Sequence, residues 1–594
     1  MTFLAMERRN FSNSLLRALL EGSEEAPSRS KELTNRPDCL GVEACSSPES
    51  PRIPINRVSS FSALASIATP EGKSRAREAK HTSAEYTSHN IDVPVVIVTS
   101  EIAPWSRTGG LALVASSYSY EFSVRGHRTM VVTPMYAEYS ECEHVDTIWV
   151  YLDGNHHEVC LYHRCVDFSG GHSCDMVFVH AKNGCYRRRG IYDDDGREFD
   201  DNLFRFSLLC LAALEAPLVL KLHGNAYGDK CVFLANDWQA GLVPVYMCHK
   251  YRNNGTYLQS RVLFVIHNLG YQGQYKRRFN LGHFFGIPPA ACEDIVHGDG
   301  LNLSKGALLC ADRIVTVSPN YAMEIQTREG GFGMDSFVRA RAAQQRVAGI
   351  ANGIDDAWDP SVDTEIKVQY SVDEVKEAKK TCKVHLQQRL HLQVDDGVLI
   401  GFVGRLTSQK GVDLFADMVP WLMEDTGNGV TGRAQLIMMG CGDRQLSEML
   451  RRFENQYPRR VCGYAGFDAS VERDMMAGCD LLLMPSRYEP CGLPQMYCQV
   501  YGTLPIVTST GGLKDSVIPH ERGTAMATGF QIHPLTAAKL KEIVYVAVEL
   551  CIHRPEEFLR MQRNAMRRNF YWPASIDKYE EQIDYALCEA AVVR

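Results

Sequence analysis

The segment FVGRLTSQKG places Arg405 and Lys410 just behind the apolar run VLIGFV, at a strand-to-helix turn. A planar guanidinium grips phosphate oxygens with parallel bonds and an ammonium acts as a point charge, so the pair suits the diphosphate of a departing nucleotide. Downstream, MPSRYEPCGLPQMY sets Glu489 behind another apolar run, followed by a glycine turn and the aromatic Tyr497. A carboxylate there accepts hydrogen bonds from sugar hydroxyls, and the N-terminus of the next helix can meet phosphate. Two glycine-pair turns join them: Thr510, Gly511 and Gly512 in TSTGGLKDSV, and Arg107, Gly109 and Gly110 in SEIAPWSRTGGLALV. Bare glycine backbone lets N–H groups approach phosphate closely. Asp237 in NDW and His267 in VIHN also stand at the ends of apolar runs. An aspartate in such a place can cap a helix, and a histidine can be a site residue or a satisfied core group.

Positioning such residues requires strands that end at one edge. VPVVIVTS, RTMVVTP, MVFVHA, VFLAND, RVLFVIHN and DRIVTVSP form one set of short β-branched runs separated by turns or helix-like stretches. After the charged stretch SVDEVKEAKKTCKVHLQQRLHL, a second set appears: VLIGFVGR, AQLIMMG, RVCGYAGF, DLLLMPS and LPIVTS. Continuous apolar runs suit sheets covered on both faces, so the pattern predicts an α/β protein of two doubly wound Rossmann-like domains facing a cleft. The expected boundaries are 91–375 and 376–594, with the last helix crossing back to the first domain. Residues 1–90 are rich in Ser, Pro, Glu, Arg and Lys without sustained period, and read as a disordered or organelle-targeting tail.

The composition narrows the function. A chain of 594 residues with 45% hydrophobic content exceeds a single core. The net charge of -8, with both signs interspersed, gives no basic stripe for nucleic acid or an anionic membrane surface. The twenty cysteines are scattered through apolar contexts and lack zinc-ligand spacing, so reduced thiols and no structural metal are expected. No run long and apolar enough for a bilayer span stands out, and no membrane span is expected.

Taken in order along the chain, RTGGL, RGHRTMVVTPMY, NDWQAGLVPVY, VIHNLGYQGQY, IANGID, IGFVGRLTSQKG, MPSRYEPCGLPQMY and TSTGGLKDSV resemble the glycogen and starch synthases, the fifth family of retaining glycosyltransferases. The resemblance implies a GT-B fold and transfer of glucose, with retention, from ADP-glucose or UDP-glucose to the non-reducing end of an α-1,4-glucan. It implies no metal or other cofactor. Arg405 and Lys410 then match the cations on the donor diphosphate, and Glu489 the acid beside the donor glucose. His267 matches the histidine near the sugar and Asp237 an acid needed for activity. Tyr497 matches an aromatic near the nucleobase, and Thr510, Gly511 and Gly512 a phosphate-facing turn. Trp238 and Tyr271 are candidate acceptor platforms or core aromatics. Departures cluster in the first domain: Arg107 and Leu113 stand where the family has Lys and Asp, and Gln239 where a His is common. They leave an alternative, a glucan-binding or initiation-assisting pseudoenzyme of the same fold. A sucrose or trehalose-phosphate type of transferase would share the cation pair, but RTGGL with EPCGL and TGGLKDSV argues against it. The compartment is open between plastid and cytosol, the plastid being favoured if the tail is a transit peptide.

Overall fold

The computed structural model describes residues 91–594 apart from 195, 278, 279, 522 and 523, so the tail reading of 1–90 lies outside the described residues. The first domain is built on nine strands: β1 Val95–Val98, β2 Thr129–Pro134, β3 Glu143–Leu152, β4 Asn155–Phe168, β5 His172–Ala181, β6 Val232–Asn236, β7 Arg261–Ile266, β8 Arg313–Thr316 and β9 Val347–Gly349. Their spatial order is β9-β8-β7-β6-β1-β2-β5-β4-β3. The stretch from β9 to β5 is parallel throughout, and β1, β2, β6 and β7 are buried along their whole length, as their continuous apolar runs require.

The edge differs from a doubly wound sheet. β3 and β4 form an antiparallel hairpin added to β5, with β3 alternating between exposed and buried positions near its end. Asp153 and Gly154 turn it, both at positive φ, the backbone a two-residue hairpin loop needs.

The second domain carries β10 Val398–Val403, β11 Ala434–Gly440, β12 Val461–Ala465, β13 Leu481–Met484, β14 Leu504–Thr508 and β15 Phe530–Ile532. All six are parallel, in the order β12-β11-β10-β13-β14-β15. Chain order reverses between β10 and β13, and a crevice opens at their carboxyl ends, where open parallel sheets bind ligands. In the first domain the reversal falls at β1.

Six helices frame the crevice or tie the domains together: α1 Gly110–Val124, α2 Asn202–Val219, α3 Pro319–Glu324, α4 Pro494–Val500, α5 Gly511–Ser516 and α6 Pro573–Cys588. α2 has the length and a mean hydropathy, 1.5, compatible with a bilayer span, yet Phe206 and Leu208 to Leu214 are fully buried in the first domain's core. It is a core helix. α6 returns to the first domain, where Ile576, Tyr579 and Ile583 pack with Val95, Ile97, Tyr118 and Phe122. Arg125 pins it through Asp577 and Glu580 at 2.7 and 2.8 Å. The outgoing and returning crossings touch: Ile354 N–H donates to the Phe570 carbonyl at 2.8 Å, and a Cβ on Gly353 would lie 2.5 Å from the Trp572 backbone.

Candidate active site

The second domain's half of the site forms at its reversal point. Arg405 leaves the end of β10 and is exposed, its guanidinium touching the Gln409 side chain at 3.3 Å. Lys410 sits in the next turn and pairs directly with Glu489, which lies beyond β13 and is 8% exposed. Ser486 donates to the same carboxylate oxygen at 3.0 Å. A salt bridge between one of the two cations and the acid leaves Arg405 as the less neutralised charge at the crevice mouth.

The first domain's half is assembled at the ends of β6 and β7. Asp237 has φ of 55°, a backbone that a side chain adopts only under constraint. It does not cap the turn after it. Its Oδ1 instead accepts the backbone N–H groups of His267, at 2.7 Å, and of Asn268, at 3.3 Å. Burial raises its carboxyl to about 7, against the lowering effect of those two donors. The ring of His267 meets Asn236 Oδ1 through Nε2 at 2.9 Å, and desolvation brings its pKa down to about 4. His267 is therefore a neutral imidazole at physiological pH.

Contacts across the crevice bring the halves together. The Tyr488 phenol and the Asn268 side chain flank Gly270, 3.2 and 3.0 Å from where it would carry a Cβ, and the Tyr488 ring meets Phe332 at a centroid distance of 5.6 Å. Asn268 comes directly after His267 and Tyr488 directly before Glu489, so the two candidate residues are each one position from this approach. Leu493, ahead of α4, lies 3.8 Å from where Gly110 would carry a Cβ. Arg107 faces the second domain as well: its charge opposes the rise that burial imposes on Glu472, to about 7, and on Tyr497. Among the described residues, Arg107 has no ion-pair partner.

Several expected ligand groups are otherwise engaged. In the first glycine turn the Glu101 carboxylate accepts from Thr108 N–H at 2.6 Å, the Thr108 hydroxyl at 2.7 Å and Gly109 N–H at 3.2 Å. In the second, Gly511 N–H donates to Glu324 of the opposite domain at 2.9 Å, and the Thr510 hydroxyl to the same carboxylate at 3.1 Å. Gly512 N–H goes to the Glu489 and Pro490 carbonyls, both at 3.1 Å. Gly109, Thr510, Gly511 and Gly512 thus lie close to the crevice with their donors already taken. The second glycine pair has a packing reason: a Cβ on Gly511 would sit 2.0 Å from the Glu489 carbonyl, and one on Gly512 2.1 Å from that of Cys491. Tyr497 is also closed off, 6% exposed and stacked on Trp358 with centroids 3.8 Å apart. The exposed rings at this edge are Phe467 and Tyr464, at the end of β12. Trp238 is a core residue against Phe206, whereas Tyr271 is 51% exposed. Leu113 lies half-buried one turn into α1, and Gln239 is buried with no hydrogen-bond partner for its Oε1 among the described residues.

Glu101, Glu324, Asn236 and Phe467 escape a motif-based reading. Glu101 sits in SEIAP beside a recognised loop, and Phe467 in the turn after YAG, so spacing from a strand end marks both. Nothing in YAMEIQT marks Glu324, because its partners lie 186 and 187 residues away.

Residues 94–340 match the family model of the starch synthase catalytic domain, and residues 397–544 that of group 1 glycosyl transferases. Soluble starch synthase 1 of Solanum tuberosum, named chloroplastic/amyloplastic, is 38% identical over 538 residues, covering 86% of this chain and 81% of that protein. Starch synthase 1 of Arabidopsis thaliana, with the same compartment in its name, is 39% identical over 525 residues, covering 84% and 78%. Among solved structures, the catalytic domain of starch synthase IV from Arabidopsis thaliana, bound to ADP and acarbose, aligns with a TM-score of 0.71 at 26% identity. That alignment covers 84% of this chain and all of that one.

Proposed function

The chain belongs to the starch synthase family and has the GT-B fold of a glucosyltransferase, and from that premise we propose that it extends an α-1,4-glucan from ADP-glucose with retention at the anomeric carbon. The observation that carries the reading is the grouping of Arg405, Lys410 and Glu489 where β10 and β13 diverge, facing His267 and Asp237 across the Phe332–Tyr488 contact. The ADP in the starch synthase IV structure supports adenine as the donor base; uracil is the competing outcome of the test.

The residues divide the work by chemistry. Arg405 and Lys410 offset the charge that grows on the leaving diphosphate, the term that contributes most in such sites. Glu489, held by Lys410 and Ser486, offers its remaining lone pairs to donor hydroxyls rather than attacking carbon. With Glu489 engaged in this way, retention takes a same-face route in which the departing phosphate oxygen accepts the proton of the attacking glucan hydroxyl. Asp237 acts through the main chain, fixing the turn that carries His267. Phe467, rather than buried Tyr497, offers a ring for the base, and Tyr271, Phe332 and Tyr488 line the rim with aromatic surface for the glucan. The relatives' names support a plastid location.

Purified chain incubated with labelled ADP-glucose or UDP-glucose and a malto-oligosaccharide should lengthen the acceptor with ADP-glucose. Elongation with UDP-glucose alone would reassign the donor. Glucan binding without elongation from either would replace the enzyme by the binding or initiation-assisting protein that Arg107 and Leu113 leave open.

A further inference from the structure

Asn236, at the end of β6, is fully buried, and its side chain has four hydrogen-bonding capacities, all used. The amide nitrogen donates to the carbonyls of Val98 and Leu234, each at 3.1 Å. Two carbonyl acceptors fix which end is nitrogen, so the oxygen must face the other way. There it meets the Tyr118 hydroxyl and, at 2.9 Å, His267 Nε2. Tyr118 is buried and its phenol is held well above its ordinary range, so it is a protonated donor. An amide oxygen donates nothing, and the His267 nitrogen facing it must therefore carry the proton.

We infer that Asn236 and Tyr118 are positioning residues which lock His267 as the Nε2–H tautomer and leave Nδ1 as a hydrogen-bond acceptor toward the crevice. The inference rests on the proposed site, and it narrows what His267 can do there. The opposite tautomer would set a lone pair against the Asn236 oxygen and leave a buried acceptor unmet, disfavouring it by about tenfold or more. Nδ1 has no partner among the described residues. A lone pair in that place accepts a hydrogen bond from a hydroxyl, as on a sugar, and repels a phosphate oxygen. His267 thus holds substrate by accepting a bond, and it neither protonates the leaving group nor offsets its charge. Tyr118 in turn is braced by α6, with Trp572 and Tyr579 at centroid distances of 6.0 and 5.8 Å, so the returning helix supports the tautomer from behind. The titratable groups that act on Asp237, whose carboxylate accepts the His267 main-chain N–H, are Tyr118 on α1, Tyr321 on α3 and Glu101 past β1, and desolvation alone acts on the ring of His267.

The test uses the full chain labelled with 15N-histidine, the His267 signals being those lost in His267→Gln. At pH 6 to 8, Nδ1 should resonate as a bare nitrogen and Nε2 as a protonated one; a protonated Nδ1, or a charged ring, would overturn the inference. Asn236→Asp keeps the shape but stabilises imidazolium. It should lower kcat about tenfold at neutral pH and add a limb that recovers as pH rises, which a merely structural defect would not do. An unchanged pH profile in a folded Asn236→Asp protein would also count against it. The spectrum is read without turnover: a chain that shows the tautomer but transfers no glucose would refute the proposed function and leave the tautomer standing.

Discussion

The two glycine-pair turns share a sequence grammar and differ in what fills them. RTGG is held by Glu101 of its own domain, which folds the loop onto the end of β1. STGG is held by Glu324, which reaches over from α3 in the opposite domain, while Asp515 on α5 returns the gesture by accepting Asn320 N–H at 2.8 Å. In one place a carboxylate shapes a loop; in the other a reciprocal pair fastens two domains. A glycine-rich turn with free N–H groups has a general appetite for anions, and a side-chain carboxylate satisfies it as well as a phosphate does.

Arg405→Ala puts the heaviest load on this contrast. If either turn carried the donor phosphates, the loss would be modest; with the burden on Arg405 and Lys410, kcat/KM should fall by about 10² to 10³. Glu101→Gln comes next. Charge-assisted bonds to Thr108 and Gly109 become neutral, so the fold should lose about 2 kcal/mol in urea unfolding and donor KM should rise, while a neutral result would detach the loop from the site. Asp237 is a further carboxylate on main-chain amides. Because burial raises its pKa to about 7, its contribution to stability is complete below the ordinary carboxylate range and is lost as pH rises through 7. The ionised form that best holds the His267 turn gains population over the same interval, so kcat/KM should climb through pH 7. Asp237→Asn should flatten that climb and cost about tenfold. The smallest effect is expected from Glu324→Gln: a loosened domain contact, seen as a larger radius of gyration in scattering, with activity changed about twofold to threefold. Tighter donor binding in that variant would show that Glu324 competes with phosphate for the second turn.

Much of this architecture is legible in the sequence, for a physical reason. Strands buried on both faces must be apolar without interruption, so VLIGFV or RVLFVI announces itself, and the residue leaving such a run stands at the ligand edge of a parallel sheet. Asp237 and His267, each directly after its strand, are found by that rule, whereas Arg405 and Glu489 lie further past theirs and stand out by their charge and by the resemblance. What resists reading depends on distant partners. Tyr497 looks like a free ring until Trp358 stacks on it, and Asn236 looks like the last residue of VFLAN until three elements converge on its amide. The β3–β4 hairpin is hidden for another reason, because its half-exposed strands mix polar and apolar residues and dilute the signal that marks the buried ones.

The paired crossings at Ile354 and Phe570 set the mechanics of the whole molecule. Two covalent strands lying side by side between two bodies define a line. Swinging about that line leaves both strands unstretched, whereas twisting across it would shear the Ile354–Phe570 bond and drive Gly353 into the Trp572 backbone. The crevice is thus left with a single easy coordinate, like the leaf of a butt hinge with its pin in place. Every substrate that enters meets the same two edges in the same register each time they come together.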